Sequence, residues 1–241
     1  MTSIILFLVT IVAYFIKGLS GFGPAMVVVP MFTLFAGAPL ALTASALLDA
    51  VSGIILIFSV WRKIDWRFVL PIIVAISLGS FFGAQLVFII PLNALRKIIG
   101  IFLSLFIIYL LINPNSDNGA GKKRPSPWYT SLAGLLSGIT GGLVGMSGPP
   151  LVSFMKYHFP KDFFRTQLIA IFLIEKFVRL AVYSNRQLLP LHQWPHLLIY
   201  IPFLLIGLWI GNHFHARISE KHFNRAVAVI LIFPAVKLIF F

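Results

Sequence analysis

The sequence predicts an all-α integral membrane protein made of two inverted repeats. Three observations lead to this fold class: the composition, the spacing of long apolar runs and a match between the two halves of the chain. Of 241 residues, 59% are hydrophobic and only 10% are charged, whereas a soluble domain has about 25% charged residues. The side chains are therefore too apolar to cover a water-facing surface, and the chain belongs in a bilayer.

The composition also argues against several kinds of chemistry. The chain has no cysteine, which removes thiolate metal sites, disulfides and thiol nucleophiles. The histidines lack metal-binding spacing, because Pro195 interrupts the helix that His192 and His196 would share, and His213 and His215 would lie on different helix faces. No nucleophile–base motif occurs. We therefore expect no metal, no cofactor and no enzymatic activity.

The strong positive charge indicates a membrane partner. The chain has 19 basic and 6 acidic residues, a net charge of +13. Most of the cations lie in short connections between apolar runs, where the positive-inside rule places them. Because they do not form one patch, we expect contact with membrane lipid and not with nucleic acid.

Six apolar runs are long enough to cross a bilayer, which takes about 20 helical residues. They span residues 39–61, 66–90, 94–112, 166–184, 194–214 and 223–240. Residues 113–127 form a polar stretch rich in glycine and proline and are predicted to be a cytoplasmic linker. The predicted division is a first transmembrane repeat at 1–112, the linker, and a second repeat at 128–241.

Each half begins with a segment that a glycine cluster interrupts. Segments 1–36 and 128–159 are too long for one crossing and too short for two, and their clusters lie at 18–24 and 142–150. We interpret each segment as a hairpin of two short helices that dips into the membrane and returns. The alternative is that these segments span the membrane fully, which would give eight crossings.

The two halves match each other in order along the chain, which indicates an internal repeat. The pattern Gly-Leu-x-Gly-x-Gly-Pro occurs in both clusters, apart from one inserted residue in the second. At a constant offset of 128 positions, Trp66, Gly79, Gly83 and Lys97 fall against Trp194, Gly207, Gly211 and Arg225.

Charge distribution predicts how the repeats are oriented. Inverted repeats would place twelve of the loop cations on one side of the membrane and three on the other, whereas parallel repeats would divide them eight and seven. The positive-inside rule favours the twelve-to-three distribution of cations, which inverted repeats produce. We therefore expect inverted repeats, each a hairpin followed by three crossings.

The two glycine clusters are the candidate binding site. Backbone that is not helical survives at membrane depth only inside protein or beside a cavity. Glycine permits positive φ, and the prolines suit the first turn of a following helix, so each cluster is predicted to lead into a helix N-terminus that attracts an anion. The predicted substrate-binding residues are Ser20, Gly21, Gly23, Pro24, Gly145, Ser147, Gly148 and Pro149. The alternative is that glycines only permit tight helix packing, which best fits the Gly-x-x-x-Gly pairs at 79–83 and 207–211.

Charged residues within apolar runs are functional candidates because their insertion is costly. Asp49 and Glu175 occupy nearly corresponding places, and we expect one or both to carry a coupling proton. Lys17 and Arg179 are expected to complement the anion. Two structural alternatives stay open: Glu175 pairs with Arg179 at i,i+4 spacing, and Lys17 pairs with Asp49 or reaches the interface. Lys176 is predicted to be interfacial.

The paired Gly-Leu-x-Gly-x-Gly-Pro turns, the length, the two related halves and the basic linker resemble the sulfite exporter TauE/SafE family of bacterial membrane permeases. The resemblance covers essentially the whole chain. It implies a multi-pass secondary transporter of the inner membrane that exports sulfite, sulfoacetate or another small sulfur-containing or carboxylate anion. We expect alternating access, with protons as the coupled ion and sodium as the alternative. A passive anion channel, a structural membrane subunit and a homo-oligomer remain open.

Overall fold

The computed structural model describes residues 2–112, 125–214 and 220–240, and these form helices and turns without a strand. The prediction of an all-helical membrane protein is confirmed. Within the described part of the chain, five helical stretches are long and apolar enough to cross a bilayer, namely Ser3–Ser20, Ala38–Lys63, Trp66–Leu86, Leu92–Tyr109 and Leu191–His213. Most of the predicted linker lies outside the described residues, and the division into two domains stays a prediction.

The first half contains five helices: α1 (Thr2–Ser20), α2 (Ala25–Ala36), α3 (Ala38–Val60), α4 (Trp66–Leu86) and α5 (Leu92–Ile112). A single glycine, Gly37 with φ of 87°, separates α2 from α3. Asp65 caps α4, since its side chain accepts a hydrogen bond of 3.2 Å from the backbone N–H of Phe68. The helices of this half therefore begin and end close to the boundaries that the apolar runs predict.

The second half contains six helices among the described residues: α6 (Pro127–Val144), α7 (Gly148–His158), α8 (Lys161–Asn185), α9 (Trp194–Leu197), α10 (Ile201–Phe214) and α11 (Glu220–Phe240). The run predicted at 194–214 corresponds to the helical stretch Leu191–His213, in which a turn of 3₁₀-helix at Leu198–Tyr200 separates α9 from α10. Pro202 has no N–H to donate to the carbonyl of Leu198, so the α-helical pattern changes there.

The glycine clusters interrupt helices of unequal length. The first arms, α1 and α6, have 19 and 18 residues, and the second arms, α2 and α7, have 12 and 11. At about 1.5 Å per residue, a first arm is nearly as long as the bilayer core is thick, so the first arms are longer than the short helices expected.

The chain folds back on itself at the first glycine cluster. Phe7 lies early in α1 and Phe32 lies late in α2, yet both contact the ring of Tyr200, with centroid distances of 5.3 and 5.1 Å. The two arms are therefore antiparallel and form a hairpin. That each hairpin enters and leaves the membrane on one side stays a prediction.

Each hairpin packs against a long helix of the other half, α1 against α10 and α6 against α4. Glycines make these crossings close: a Cβ on Gly211 would overlap the carbonyl oxygen of Phe15, and one on Gly83 would overlap that of Ile139. This confirms the packing interpretation of the two Gly-x-x-x-Gly pairs.

The two halves also contact each other through α3 and α8 and through α5 and α11. Gly53 of α3 faces the side chain of Leu173, and Gly100 of α5 faces Leu238. A hairpin followed by long helices thus occurs in both halves, in the same order. The inverted orientation of the two halves remains a prediction.

Candidate functional site

The two glycine turns meet at one place in the molecule. A Cβ on Gly148, at the start of α7, would lie 2.6 Å from Cε of Met26 and 3.7 Å from Cδ2 of Phe22, which belong to the first hairpin. A cavity of about 30 Å³ lies where the turns meet, which is room for about two water molecules. The geometry therefore brings the two candidate clusters to a common site.

The cavity wall combines polar groups from both halves with apolar side chains. Its polar side chains are Lys17, Asp49, Ser147 and Lys176. Apolar side chains, including those of Phe22, Met26, Met146, Phe172 and Leu173, complete the wall. Of the predicted binding residues, Gly21, Gly23, Pro24, Ser147 and Gly148 line the cavity, whereas Ser20, Gly145 and Pro149 do not.

Three of the cluster glycines adopt the backbone conformation that was expected of them. Gly21, Gly23 and Gly145 have φ values of 81°, 94° and 78°, in the left-handed region that residues with a side chain rarely adopt. These glycines allow the chain to leave α1 and α6 sharply and return.

The other three cluster glycines serve packing instead. Gly18, Gly142 and Gly148 do not have positive φ, so the backbone freedom that glycine permits is not used at these positions. A Cβ on Gly18 would lie 2.6 Å from the carbonyl oxygen of Leu208, and one on Gly142 would overlap that of Ser80. Close approach to a helix of the other half explains Gly18 and Gly142, whereas Gly148 lines the cavity and faces Met26 of the first hairpin.

The helix N-termini at the cavity offer fewer free amides than the sequence suggests. The N–H groups of Met26 and Val27 donate to the carbonyls of Gly23 and Pro24. At the start of α7, Pro149 and its neighbour Pro150 carry no N–H at all. The terminal dipoles still point at the cavity, but side chains supply much of its positive charge.

The two candidate serines have different surroundings. The Ser20 hydroxyl bonds the carbonyl oxygens of Ile16 and Phe22, at 2.8 and 2.7 Å, and thus serves the turn itself. The Ser147 hydroxyl accepts a hydrogen bond of 2.7 Å from Nζ of Lys176 at the cavity wall. Only the second serine is placed to touch a ligand.

Lys17, Asp49 and Ser52 form a buried group that we call the α1–α3 cluster. Nζ of Lys17 lies 2.7 Å from Oγ of Ser52, 3.1 Å from the carbonyl oxygen of Asp49 and 3.4 Å from its Oδ1. The Tyr14 hydroxyl donates to the same Oδ1 at 3.0 Å. Of the two alternatives for Lys17, pairing with Asp49 is the one that the structure shows.

Lys176, Glu175 and Ser147 form a second group, the α8 cluster. Lys176 is ion-paired with Glu175, and Ser80 donates a hydrogen bond of 3.1 Å to Oε1 of the same carboxylate. The interfacial interpretation of Lys176 is wrong, because only 5% of this residue is exposed. The sequence contained a signal that Lys176 is buried. An acid, a lysine and an arginine lie within five residues of one another on α8, and exposing all three to lipid would be costly.

Arg179 lies behind the α8 cluster and is completely buried. Its Nη1 donates to the carbonyl oxygen of Gly141 at 2.8 Å, and its Nη2 lies 3.4 Å from Oγ of Ser45. The Tyr183 hydroxyl donates to the carbonyl of Gly142 at 2.6 Å. Arg179 and Tyr183 thus cap the C-terminal end of α6, and Glu175 is ion-paired with Lys176 instead of with Arg179.

A second arginine, which was not predicted as a site residue, stabilises the first glycine turn. Nη2 of Arg165, also on α8, donates to the carbonyl of Gly18 at 3.0 Å and to Oδ1 of Asn212 at 3.2 Å. A Cβ on Gly21 would lie 2.6 Å from Cγ of Arg165. Helix α8 therefore supports both turns, each through one arginine.

One comparison with known proteins identifies the family. The family model "Sulfite exporter TauE/SafE" matches residues 6–238. Searches of curated proteins and of solved structures found no match. The family comprises membrane permeases that export sulfite and related sulfur-containing anions, and the helical architecture agrees with a multi-pass protein of this kind. The matched region covers nearly all of the described helices, and the chain belongs to the sulfite exporter TauE/SafE family.

Proposed function

We propose that this protein is a secondary transporter that exports a small sulfur-containing or carboxylate anion across the bacterial inner membrane. The cavity between the two glycine turns is its central site, and the two halves alternate in giving each side access to it. One observation supports this most strongly: two buried lysines, one from each half, line the cavity together.

The lysines offer N–H donors to an anion in the cavity. A buried cation is costly unless nearby negative charge offsets it. An ammonium has three N–H donors, and Lys17 has three acceptor contacts in the α1–α3 cluster. Lys176 has two, from Ser147 and Glu175, which leaves one donor for a bound anion.

The family favours a transporter over a passive channel, because its members are permeases. The cavity at the turns is small, about 30 Å³, and side chains from both halves line it. A movement of the two halves that opens this cavity to one side at a time is the property of a carrier. The side chain of Arg165 over Gly21 is one contact that such a movement would change.

Coupling to protons is part of the proposal. Asp49 and Glu175 each accept hydrogen bonds from a lysine and from a hydroxyl group. A proton taken up by either carboxylate changes the charge of the site by one and thereby its affinity for an anion. Sodium coupling is the alternative, and replacement of the proton gradient by a sodium gradient distinguishes the two.

Transport by the purified protein in proteoliposomes tests the proposal. The panel comprises sulfite, sulfoacetate, sulfate and small carboxylates, with and without a pH gradient. We expect saturable flux of at least one anion and a loss of more than about tenfold in Lys176→Met, equivalent to more than 1.4 kcal/mol. Lys237→Met is the matched control, because Lys237 is exposed on α11.

Two results would overturn the proposal. One is flux no greater than that of protein-free liposomes for every anion in the panel. The other is equal flux in Lys176→Met and wild type. Flux that neither saturates nor responds to any ion gradient would identify a passive channel instead.

A further inference from the structure

The buried charges near the cavity do not balance. Among the residues whose side-chain burial the structure describes, which leaves out 161 and 214–226, the buried charged side chains are Lys17, Asp49, Glu175, Lys176 and Arg179. Three are cations and two are carboxylates, which leaves an excess of one positive charge. An uncompensated charge in a protein interior is strongly unfavourable, so the imbalance needs a partner.

The two lysine–carboxylate pairs cannot supply that partner. Lys17 pairs with Asp49, and Lys176 pairs with Glu175. If a proton moves from the ammonium to the carboxylate within a pair, both groups become neutral and the net charge of the pair is still zero. The excess charge therefore does not depend on where the protons lie within the pairs.

Arg179 carries the excess. A guanidinium stays protonated in proteins, and this one is completely buried. Its hydrogen-bond acceptors, the carbonyl of Gly141 and the hydroxyl of Ser45, are neutral, and its Nε has no partner. Arg179 is thus a permanent buried cation without a carboxylate of its own.

The titratable groups around Arg179 include members of both clusters and two tyrosines. Arg179 interacts electrostatically with Glu175, Lys176 and Tyr183 on α8 and with Tyr14 and Lys17 on α1. Asp49 of α3 is reached through its pair with Lys17. Protonated tyrosines are neutral, so they do not alter the balance.

The charge of Arg179 is close enough to act on the cavity. Gly141, whose carbonyl it bonds, lies against the cavity wall: a Cβ there would overlap Oγ of Ser147 and would lie 2.8 Å from Oε1 of Glu175. Inside a protein, charges interact strongly over such distances and salt screens them little. An anion in the cavity would therefore offset the charge of Arg179.

We propose that Arg179 sets the charge of the transported cargo at one negative charge per cycle. A monoanion, such as hydrogensulfite or a sulfonate, loads without an added proton. A dianion loads together with one proton, held by one of the two pairs or by the anion itself. This inference rests on the proposed function, and it makes proton coupling a consequence of the charge of the anion.

Counting protons per anion tests the inference. Wild-type proteoliposomes with a pH-sensitive dye inside and a clamped membrane potential are loaded with methanesulfonate, a monoanion, or with sulfoacetate, a dianion at neutral pH. We expect no proton for each methanesulfonate and one for each sulfoacetate. Equal counts for the two anions would overturn the inference. The proposed function fails in a different way, by absence of flux for the whole panel.

Charge variants decide the same question in a second way. Arg179→Gln and Lys17→Gln each remove one positive charge and keep both carboxylates. We expect each to raise the count by one, so that methanesulfonate acquires a proton dependence that it lacks in wild type. Coupling by the carboxylates alone predicts no such rise. If Arg179→Gln does not fold, Lys17→Gln still decides the outcome.

A control variant separates local charge from total charge. Arg62 is exposed at the end of α3 and outside both clusters. Arg62→Gln changes the net charge of the protein by the same amount as Arg179→Gln, and we expect unchanged proton counts. An unchanged count in all three variants would overturn the assignment to Arg179.

Discussion

The two halves of the molecule place the same three functional groups, a lysine, a carboxylate and a serine, on different backbone elements. In the α1–α3 cluster the lysine comes from a hairpin arm, and the carboxylate and serine come from the following long helix. In the α8 cluster the lysine and carboxylate are neighbours on the long helix, and the serine lies in the glycine turn. The halves thus match in chemistry more closely than in position.

This difference gives the two clusters different tasks. The α1–α3 cluster connects two helices of the first half by hydrogen bonds, and its members Lys17 and Asp49 line the cavity. The α8 cluster holds the second turn itself, because Lys176 bonds Ser147 in that turn. Substitutions in the α8 cluster should therefore affect anion binding more directly than substitutions in the α1–α3 cluster.

The largest expected effect is on stability, in Glu175→Gln. This change leaves the buried Lys176 without its counter-charge, which costs about 3–5 kcal/mol when one partner of a buried pair is removed. Thermal unfolding in detergent measures it. Asp162→Asn, on the exposed surface of the same helix, is the control: it removes only the attraction to the helix N-terminus and to Arg165 and should lower stability by less than about 1 kcal/mol. Similar shifts in the two variants would argue against a buried ion pair at Glu175.

A comparison of the two serines separates binding from packing. Ser147→Ala removes a hydroxyl donor from the cavity wall, and we expect the Kd of the anion to rise by about fivefold to tenfold, the value of one hydrogen bond. Ser52→Ala leaves the wall intact and should change the Kd by less than about twofold. Anion titrations of the purified variants measure both. A larger rise in Kd for Ser52→Ala than for Ser147→Ala would contradict the roles assigned to the two clusters.

The two turns differ in what prevents a side chain at their glycines: lack of space at Gly148 and backbone strain at Gly23. At Gly148 the obstacle to a side chain is Cε of Met26, 2.6 Å from the position of a Cβ. At Gly23 there is space, with no atom within 3.8 Å, but φ is 94°. We expect Gly148→Ala to weaken anion binding and Gly148→Ala with Met26→Ala to restore it.

Gly23→Ala should behave differently. It should lower stability by about 1–2 kcal/mol through strain, and Met26→Ala should not rescue it. Unfolding midpoints and anion titrations on the four variants provide the test. If Met26→Ala rescued both glycine variants, or neither of them, the distinction between lack of space at Gly148 and backbone strain at Gly23 would be refuted.

The smallest expected effect is at Arg165, which braces the first turn as Arg179 braces the second. Arg165 is only partly buried, and its bonds go to the carbonyl of Gly18 and to Asn212. Arg165→Gln should therefore lower stability by about 0.5–1.5 kcal/mol, the value of an ordinary hydrogen bond. Unfolding measurements check this, and a loss as large as that of Glu175→Gln would contradict the expected order.

Helices were predictable because hydrophobic runs of bilayer length leave few alternatives. The run at 94–112 corresponds to α5, which spans Leu92–Ile112. The interruption before α10 was predictable only in principle, because a proline in an apolar run sometimes kinks a helix and sometimes changes its type. The positive φ values at Gly21, Gly23 and Gly145 were predictable only as a possibility, because glycine permits them but Gly148, directly before Pro149, does not adopt one.

The site was less predictable because it depends on which helix faces meet. Gly18 and Gly142 belong to the same motif as the turn glycines, but they contact helices that lie far away in sequence. Lys176 was misinterpreted for the same reason, since its direction is known only once α8 is placed against the second turn. The shortage of free amides at α7 was present in the sequence, because consecutive prolines have no N–H.

Binding of radiolabelled sulfite to the purified protein tests the central claim most directly. The comparison is between wild type, Lys176→Met and the exposed control Lys237→Met. If the cavity between the turns is the anion site, wild type and the control bind saturably with the same Kd, and Lys176→Met binds at least about tenfold more weakly. Equal binding by all three proteins would show that the anion is held elsewhere.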